Sequence, residues 1–361
     1  MVDIQDFFKV PSRSAVRKAG SLIKESLLGL AHPEPLELER AYHTLFEWRA
    51  CHAYVLNAFQ AVVRQKLGAL NLRHALVAQR LKRMPSIIAK LTRFPKMQAD
   101  RMYDVIGVRV ILKNVTEVDR FHEALRHMKS RHTLQEPVKD YIRHPKDDGY
   151  RSLHLVFSYH NDRHPQLDGL KLELQLRTRL QHSWATAVET LGMLRQASFK
   201  TGQGDEATRE FFRLSGALFS WQETGIMPDY CRGMTPQDLC LRIRDLDREL
   251  KLMQTLNAVV VSAQYIEKKQ QNFQGFHVLE LNAQQGKTQL TAFLSSQLPQ
   301  AESFYKAREQ ETQADPAVAV VLIGAGDIRQ IKKAYPNYFL NSREFRANLD
   351  AALGDFSVCA F

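Results

Sequence analysis

The sequence predicts an α+β fold in which a mixed β-sheet is flanked by helices and followed by a helical segment and a small C-terminal α/β domain. Three observations predict it. Helical spacing dominates the first 70 residues, strand-like runs with one helical run between them follow over 103–178, and strand and helix patterns alternate again after residue 272. Elements of this kind bury their apolar faces in layers around a sheet.

The patterns divide the chain into four segments. We expect an N-terminal helical region at 1–70, a sheet-forming domain at 71–200, a helical connector at 201–271 and an accessory α/β domain at 272–361. The length of 361 residues suits two or three domains, and a hydrophobic content of 44% is enough to build their cores.

Apolar residues at helical spacing begin the chain. Val16, Ala19, Ile23 and Leu27 share one face over residues 14–30, and the sequence HPEP then ends that helix. The same spacing predicts further helices at 36–67, 71–94 with an interruption at Pro85, 116–129, 179–196 and 205–225. Strand-like runs predict the sheet at 103–112, near 138–142, at 150–159 and at 169–178.

The C-terminal part carries an apolar stripe and then alternating elements. Large apolar residues recur every three or four positions over 239–260, which predicts an amphipathic helix that packs on its own domain or forms a short coiled coil. The expected accessory domain consists of strands at 276–282 and 317–324 and helices around 300–312, at 326–334 and at 342–353.

The charge balance favours an anionic partner. Lys and Arg number 50 against 39 Asp and Glu, which gives a formal net charge of +11. A surplus of this size is typical of proteins that bind nucleotides, tRNA or other nucleic acid. A solvated basic surface with no partner gives the same count, so the charge alone does not choose among these interpretations.

Cysteine usage and hydropathy predict a cytoplasmic protein. Cys51, Cys231, Cys240 and Cys359 form no CxxC pair, which is typical of reduced thiols. No apolar run approaches the ~20 residues that span a bilayer, and the first residues lack the apolar core of a signal peptide. We therefore expect a cytoplasmic location and no membrane partner.

Two glycine-containing motifs fail as nucleotide-binding loops. GKT at 286–288 lacks the first P-loop glycine, because Leu281 stands five residues before Gly286. IGAGDIR at 323–329 has Arg329 where a dinucleotide-binding loop has its third glycine. We interpret both as turns. The scattered histidines match no zinc-binding spacing.

Charged and small polar residues concentrate in four other segments. The first, RLKRMPSIIAK, contains Arg80, Lys82, Ser86 and Lys90. Pro85 suits a helix start, so Ser86 and Lys90 fall on one face near a helix N-terminus, where anions bind. A solvated basic helix face has the same composition.

Two of these segments are predicted strands. YDVIGVRV places Asp104 at the entrance of an apolar strand that Arg109 interrupts. A carboxylate there is a candidate Mg²⁺ ligand, or it makes an ordinary turn bond. LKLELQLRT alternates leucines with polar residues, so Glu173, Gln175 and Arg177 share one face, which lies either in a site or in solvent.

The remaining segment, VKDYIRHPKDDGYRSLH, surrounds a Pro-Lys-Asp-Asp-Gly turn with Lys139, Arg143, Lys146 and Arg151. Gly149 allows the backbone to bend. The neighbouring Tyr150 either offers a flat ring on which a base stacks or packs into the core of an ordinary loop.

Together these segments resemble the synthetase domain of the RelA/SpoT family. The first reproduces its RxKxxxSxxxK spacing, DVIGVRV is similar to its DxxGxR strand, KDYIRHPKDDGYRSLH to its KDYIxxPKxNGYxSxH stretch, and ELQLRTRLQHSWA to its ExQxRTxxxxxWA motif. The resemblance covers roughly residues 10–200 and is to synthetase-only members with an accessory C-terminal domain. It implies a nucleotidyltransferase-like mixed sheet.

The resemblance also implies an activity. Such a protein is a Mg²⁺-dependent pyrophosphokinase that moves the β,γ-pyrophosphate of ATP to the 3′-hydroxyl of GDP or GTP and so makes the alarmone (p)ppGpp. Asp104 and Glu173 would be catalytic and hold the metal, with Glu173 also a candidate to accept the proton of the attacking hydroxyl. The residues that would bind ATP are Arg80, Lys82, Ser86, Lys90 and Arg109. The residues that would bind the acceptor are Lys139, Lys146, Asp148, Tyr150, His154 and Gln175.

One departure leaves the acceptor open. Asp148 stands where the family usually has Asn, and a carboxylate accepts hydrogen bonds from guanine N–H groups but donates none to its O6. Transfer to the 3′ CCA end of tRNA, as in toxin-type members, or to adenine nucleotides is therefore the alternative, and an inactive nucleotide-sensing module is a third. Residues 239–361 are the expected place for homo-oligomer contacts or for a regulator.

Overall fold

The computed structural model describes residues 10–194, 205–257, 275–282, 287–312, 318–324 and 338–355. The chain divides into two compact units. Unit 1 comprises Met1–Asp140 and Ser152–Thr178, and unit 2 comprises Tyr141–Arg151 and Arg179–Phe361. The predicted α+β class with a helix-flanked mixed sheet is confirmed.

Unit 1 is built on a five-stranded mixed sheet. Its elements are α1 Arg13–Leu27, α2 Pro35–Ala69, β1 Leu76–Leu81, α3 Met84–Arg93, β2 Ile106–Leu112, α4 Val115–Arg126, β3 Thr133–Asp140, β4 Leu153–Ser158 and β5 Lys171–Thr178. The strand order is β1-β2-β5-β4-β3. β2 and β5 run parallel, and every other neighbouring pair in this sheet is antiparallel. One face of α1, α2 and α3 forms an apolar cluster that includes Val16, Leu45 and Ile87.

The prediction of a helical region over 71–94 is wrong in its first half. Residues 76–81 form β1, an edge strand that pairs antiparallel with β2, and Arg80 lies opposite Gly107. β1 is largely exposed and carries no apolar alternation, so its strand structure comes from pairing with β2 rather than from a local pattern. Pro85 lies at the start of α3 instead of interrupting a longer helix.

Unit 2 contains a helical layer and a small antiparallel sheet. Its elements are α5 Arg179–Leu194, α6 Glu206–Thr224, α7 Pro236–Leu250, β6 Gly275–Asn282, β7 Lys287–Leu294, α8 Leu298–Thr312, β8 Val318–Gly324 and α9 Tyr338–Asp355. The sheet order is β7-β6-β8, with both pairs antiparallel. The sequence patterns did not predict β7, which contains Lys287 and Thr288 of the GKT triplet. The helix expected at 326–334 lies outside the described residues.

The apolar stripe of 239–260 is not one continuous helix. α7 ends at Leu250, and Lys251 adopts a left-handed conformation with φ 50° before helical structure resumes at 252–257. A left-handed residue ends an α-helix, and a 3.6-residue pattern does not register such a break when the apolar residues on both sides face the same core. Leu246 and Leu256 are both buried in the unit 2 core.

The last helix belongs to this helical core. Phe345, Leu349 and Ala352 of α9 are fully buried in the same cluster as residues of α5 and α6. Within the described residues, no helix is both long and apolar enough to cross a bilayer.

Candidate active site

Asp104 is held between two lysines in unit 1. The Nζ atom of Lys82 lies 2.6 Å from its Oδ2 atom, and the Nζ atom of Lys90 lies 2.8 Å from its Oδ1 atom. Backbone pairing explains the arrangement, because the N–H of Lys82 donates to the carbonyl of Val105 (2.8 Å) just where β1 and β2 begin to separate. Lys90 comes from α3. The three side chains form a partly buried cluster of two positive charges and one negative charge.

The charge state of Asp104 follows from these neighbours. Burial acts to raise the pKa of this carboxyl, but the hydrogen bonds and charges of Lys82 and Lys90 outweigh burial and lower the pKa below its ordinary value. Asp104 is therefore an ionised carboxylate at neutral pH.

Glu173 is a second ionised carboxylate in unit 1, and it is only 9% exposed. Its Oε1 lies 2.9 Å from Nδ1 of His154, and its Oε2 accepts a hydrogen bond from Nε2 of Gln175 (2.7 Å). Burial acts to raise the pKa of Glu173, but His154, Gln175 and the charge of Lys90 lower it to about 2. Lys90 thus acts electrostatically on both carboxylates.

The polar face of β5 is buried rather than solvent-facing. Gln175 accepts a hydrogen bond from the guanidinium of Arg177 (3.2 Å), and Arg177 is itself 2% exposed. Glu173, Gln175 and Arg177 therefore form a continuous polar ladder on one face, while Leu172, Leu174 and Leu176 fill the core. This burial favours a site over an ordinary solvent-facing strand.

Four predicted site residues lie in one row across the sheet. Arg109 of β2 is in register with Gln175 of β5, Gln175 with His154 of β4, and His154 with Lys139 of β3. Residues in register on neighbouring strands project from the same face of a sheet. The row therefore aligns, on one face, residues that the sequence predicts for both donor and acceptor.

The two other predicted donor residues occupy simpler positions. Arg80 is exposed on β1, opposite Gly107, which is in turn opposite Glu173. Ser86 lies in the first turn of α3, one turn before Lys90, and its N–H donates to the carbonyl of Arg83.

Tyr103 is a residue of this cluster that the sequence patterns did not predict. Nζ of Lys139 donates to its hydroxyl oxygen (2.6 Å) and lies 4.8 Å from its ring centroid, while Nζ of Lys90 lies 5.3 Å from the same centroid. Tyr103 thus joins Lys90 to Lys139. The only sequence signal for it was its position next to Asp104.

Arg49 of α2 stabilises the backbone at Lys82, one of the two lysines that contact Asp104. Its Nε donates to the carbonyl of Lys82 (2.6 Å) and so fixes the backbone that carries this lysine. Nothing in the helical pattern around Arg49 distinguished it from an ordinary polar position.

The predicted acceptor residues Lys146, Asp148 and Tyr150 lie in unit 2, in the segment Tyr141–Arg151, which we call the 141–151 loop. Asp148 Oδ1 accepts from the N–H of Tyr150 (2.9 Å). Gly149 has φ +88°, and its N–H donates to the carbonyl of Lys146 (2.8 Å). Both bonds fix a tight turn that requires glycine.

Tyr150 is 7% exposed and belongs to the unit 2 core. Nζ of Lys146 lies 5.2 Å from its ring centroid and 4.5 Å from that of Tyr141. The ring therefore combines core packing with a contact to a cation on one side. Whether a base also stacks on it stays a prediction.

The donor atoms present suit a magnesium ion. Among the described residues, no group of three or more His, Cys, Asp or Glu side chains is arranged to hold a metal. Asp104 and Glu173 are nonetheless ionised oxygen donors, and Mg²⁺ in phosphate-transfer sites commonly uses one or two carboxylates together with water and substrate phosphates. The two residues therefore fit the ion in ligand type and charge.

Comparison with known proteins identifies this part of the chain. Residues 79–201 match the model of the region found in RelA and SpoT proteins. This region of the chain is therefore similar to RelA and SpoT proteins, as the sequence motifs predicted.

Two curated relatives come from Bacillus subtilis. The GTP pyrophosphokinase YwaC is 36% identical over 118 residues, which are 30% of this chain and 52% of YwaC. The GTP pyrophosphokinase YjbM is 31% identical over 117 residues, which are 32% of this chain and 54% of YjbM. The chain thus spans about half the length of the relatives it matches.

Two solved structures align with about half of this chain. The small alarmone synthetase 2 of Bacillus subtilis aligns with a TM-score of 0.42 and 21% identity, over 49% of this chain and 93% of that one. A GTP pyrophosphokinase family protein of Streptococcus pneumoniae aligns with a TM-score of 0.41 and 23% identity, over 49% and 87%.

Proposed function

We propose that this chain is a Mg²⁺-dependent pyrophosphokinase that transfers the β,γ-pyrophosphate of ATP to the 3′-hydroxyl of GDP or GTP and so forms (p)ppGpp. The observation that carries the proposal is the pair of ionised carboxylates, Asp104 and Glu173. Lys90 lowers the pKa of both, and all three residues lie in the region that matches RelA and SpoT proteins. The relatives' names, which specify GTP pyrophosphokinases, support the same reaction class.

The donor is assigned to Arg80, Lys82, Ser86, Lys90 and Arg109. Lys82 and Lys90 already face a carboxylate oxygen, and a phosphate oxygen offers the same ligand chemistry at higher charge. Asp104 and Glu173 would hold Mg²⁺, which would supply positive charge to the phosphoryl oxygens of the transferred group. The lysines then orient the ATP phosphates, and positioning with electrostatic stabilisation provides most of the rate.

By the motif resemblance, the acceptor is assigned to Lys139, Lys146, Asp148, Tyr150, His154 and Gln175. A carboxylate with a pKa about 2 is a weak proton acceptor at neutral pH. We therefore assign Glu173 first to metal binding and to orienting His154, and only second to accepting the hydroxyl's proton.

A second candidate function is transfer to the 3′ CCA end of tRNA or to adenine nucleotides. Two observations favour it: the net charge of +11, and the carboxylate of Asp148, one oxygen of which already accepts from the loop backbone. A carboxylate donates no hydrogen bond to guanine O6, so guanine selectivity needs another donor.

The acceptor panel tests these proposals together. Full-length protein is incubated with Mg²⁺ and ATP labelled in the γ-phosphate, with GDP, GTP, ADP, ATP alone or deacylated tRNA as acceptor. Labelled product from GDP or GTP with none on tRNA supports alarmone synthesis. Label on tRNA or on an adenine nucleotide, with none on GDP or GTP, supports the second function. Transfer to none of them contradicts both and favours an inactive nucleotide-sensing module.

A further inference from the structure

The 141–151 loop is held by a helix that lies beyond the matched family region. The family match ends at residue 201, whereas α6 comprises Glu206–Thr224. Three contacts within unit 2 join this helix to the loop or to its support.

The first contact is a direct approach of two glycines. A Cβ atom placed on Gly216, in the middle of α6, would lie 2.6 Å from the carbonyl oxygen and 2.9 Å from Cα of Gly149. A Cβ on Gly149 would lie 3.0 Å from the carbonyl oxygen of Phe212. The backbone of the loop therefore rests on the backbone of the helix. Glycine lowers helix propensity, so its presence inside α6 is explained by this approach.

The second contact is an ion pair at the far end of the helix. Nη1 of Arg151, the last residue of the loop, lies 2.8 Å from Oε2 of Glu223, and the two side chains are 2% and 11% exposed. Nε2 of Gln181 donates to the same carboxylate oxygen (2.9 Å), which ties α5 into the arrangement. Removing one partner of such a buried pair is costly, because it takes away part of the compensation of the other charge.

The third contact is made by Trp184 of α5, which packs against both α6 and the loop. Nε1 of Trp184 donates to the carbonyl of Phe212 (2.9 Å), and Cζ2 of the same ring would lie 3.0 Å from a Cβ atom on Gly149. Trp184 thus fills the space between α5, α6 and the turn that carries Asp148 and Tyr150.

We infer that Gly216 and Glu223 are positioning residues for the 141–151 loop, so that α6, outside the family region, sets acceptor affinity without touching the donor. The inference rests on the proposed acceptor role of Lys146, Asp148 and Tyr150. In this role α6 holds the loop turn in a fixed conformation and so lowers the entropic cost of ordering the loop when the acceptor binds.

The test compares Gly216→Ala and Glu223→Gln with two matched controls. Gly68→Ala introduces the same methyl group into α2, where nothing lies within 4 Å. Glu210→Gln, on α6 itself, removes a partly exposed ion pair to Arg242 of α7. Thermal melts select the variants that remain folded. Hydrogen exchange of the 141–151 loop reports its docking independently of catalysis, because the N–H groups of residues 146, 149 and 150 are hydrogen-bonded in the docked turn.

The inference predicts faster exchange in the loop and a KM for GDP raised by at least about tenfold in both α6 variants, with binding of a non-hydrolysable ATP analogue changed by less than about twofold. Loop exchange and acceptor KM equal to those of the two controls would overturn it. If the wild-type protein transfers pyrophosphate to no acceptor, the proposed function fails, and the exchange measurement still decides whether α6 holds the loop.

Discussion

The ammonium nitrogen of Lys90 lies 2.8 Å from Oδ1 of Asp104, and its charge also lowers the pKa of Glu173. One lysine on α3 therefore links a carboxylate just before β2 to a carboxylate within β5. A lysine that stabilises two ionised carboxylates can also stabilise the negatively charged phosphates of ATP.

Replacing Lys90 by Met removes this charge while keeping most of the side chain's volume. We expect kcat/KM for ATP to fall by at least about 100-fold, because a charged group aimed at phosphoryl oxygens is lost. Steady-state kinetics at saturating acceptor measure the effect. The matched control is Lys18→Met, which removes an exposed lysine of α1 and should change the value by less than about twofold. Equal kcat/KM values for ATP in the two variants would show that Lys90 does not take part in ATP binding or catalysis.

Tyr150 can be separated into a packing role and a stacking role by two substitutions. Tyr150→Phe keeps a flat ring in the unit 2 core, whereas Tyr150→Leu keeps apolar volume and removes the ring. If a base stacks there, Leu costs about 1–3 kcal/mol of acceptor binding and Phe costs much less. Calorimetric titration with the acceptor measures both. Equal acceptor affinities in the two folded variants would assign the ring to packing alone.

His52 makes stability depend on pH in the mildly acidic range. The ring is almost fully buried in α2, with Nδ1 2.7 Å from the carbonyl of Trp48, and burial lowers its pKa to about 4, although that hydrogen bond opposes the shift. Because the folded-state pKa is below the ordinary value near 6.5, this contribution to stability is complete above about pH 6.5 and is lost as the pH falls towards 4.

We expect this single group to remove about 2 kcal/mol from the free energy of unfolding between pH 7.5 and pH 5. Urea unfolding of wild type and of His52→Gln at the two pH values measures it. Gln retains a donor for the Trp48 carbonyl but does not titrate. The free energy of unfolding of His52→Gln should therefore fall less between the two pH values than that of wild type, by about 2 kcal/mol. Parallel losses in the two proteins would contradict the assignment.

Phe345 tests whether the final helix is part of the core. Its ring centroid lies 6.0 Å from that of Phe212 and 5.9 Å from that of Phe219, and the side chain is fully buried. Phe345→Ala should lower the stability of unit 2 by about 3–5 kcal/mol. Phe46→Ala, at a half-exposed position of α2, serves as the control and should cost far less. A small effect at both positions would show that α9 is dispensable to the fold, and a truncation near residue 272 could then be interpreted as removing a separate module.

The sequence patterns indicated the charged residues of the candidate site more fully than the structure that supports them. Asp104 and Glu173 were identifiable because each places a carboxylate in or beside an apolar strand, and the structure shows both to be largely buried and ionised. The row from Arg109 to Lys139 was not identifiable, because register between strands depends on pairing over long sequence separations.

The errors have local physical reasons. The sequence predicts helix at β1 because an exposed edge strand shows no alternation. It gives no sign of the break at Lys251, because leucines on both sides of that residue face one core. The contact of Gly216 with the 141–151 loop is not predictable from the sequence. A lone glycine in a helical pattern indicates only a small loss of helix propensity, and its role becomes clear only when the backbone that it approaches is known.

The central claim is pyrophosphate transfer dependent on Asp104 and Glu173. The most direct measurement is the AMP formed from ATP in the presence of GDP and Mg²⁺, by wild type, Asp104→Asn, Glu173→Gln and the exposed-carboxylate control Asp229→Asn. We predict AMP and 3′-pyrophosphorylated guanosine product in equal amounts from wild type and control, and at least about 100-fold less from the other two variants. Formation of ADP in place of AMP, or near-normal turnover in Asp104→Asn and Glu173→Gln, would contradict the account.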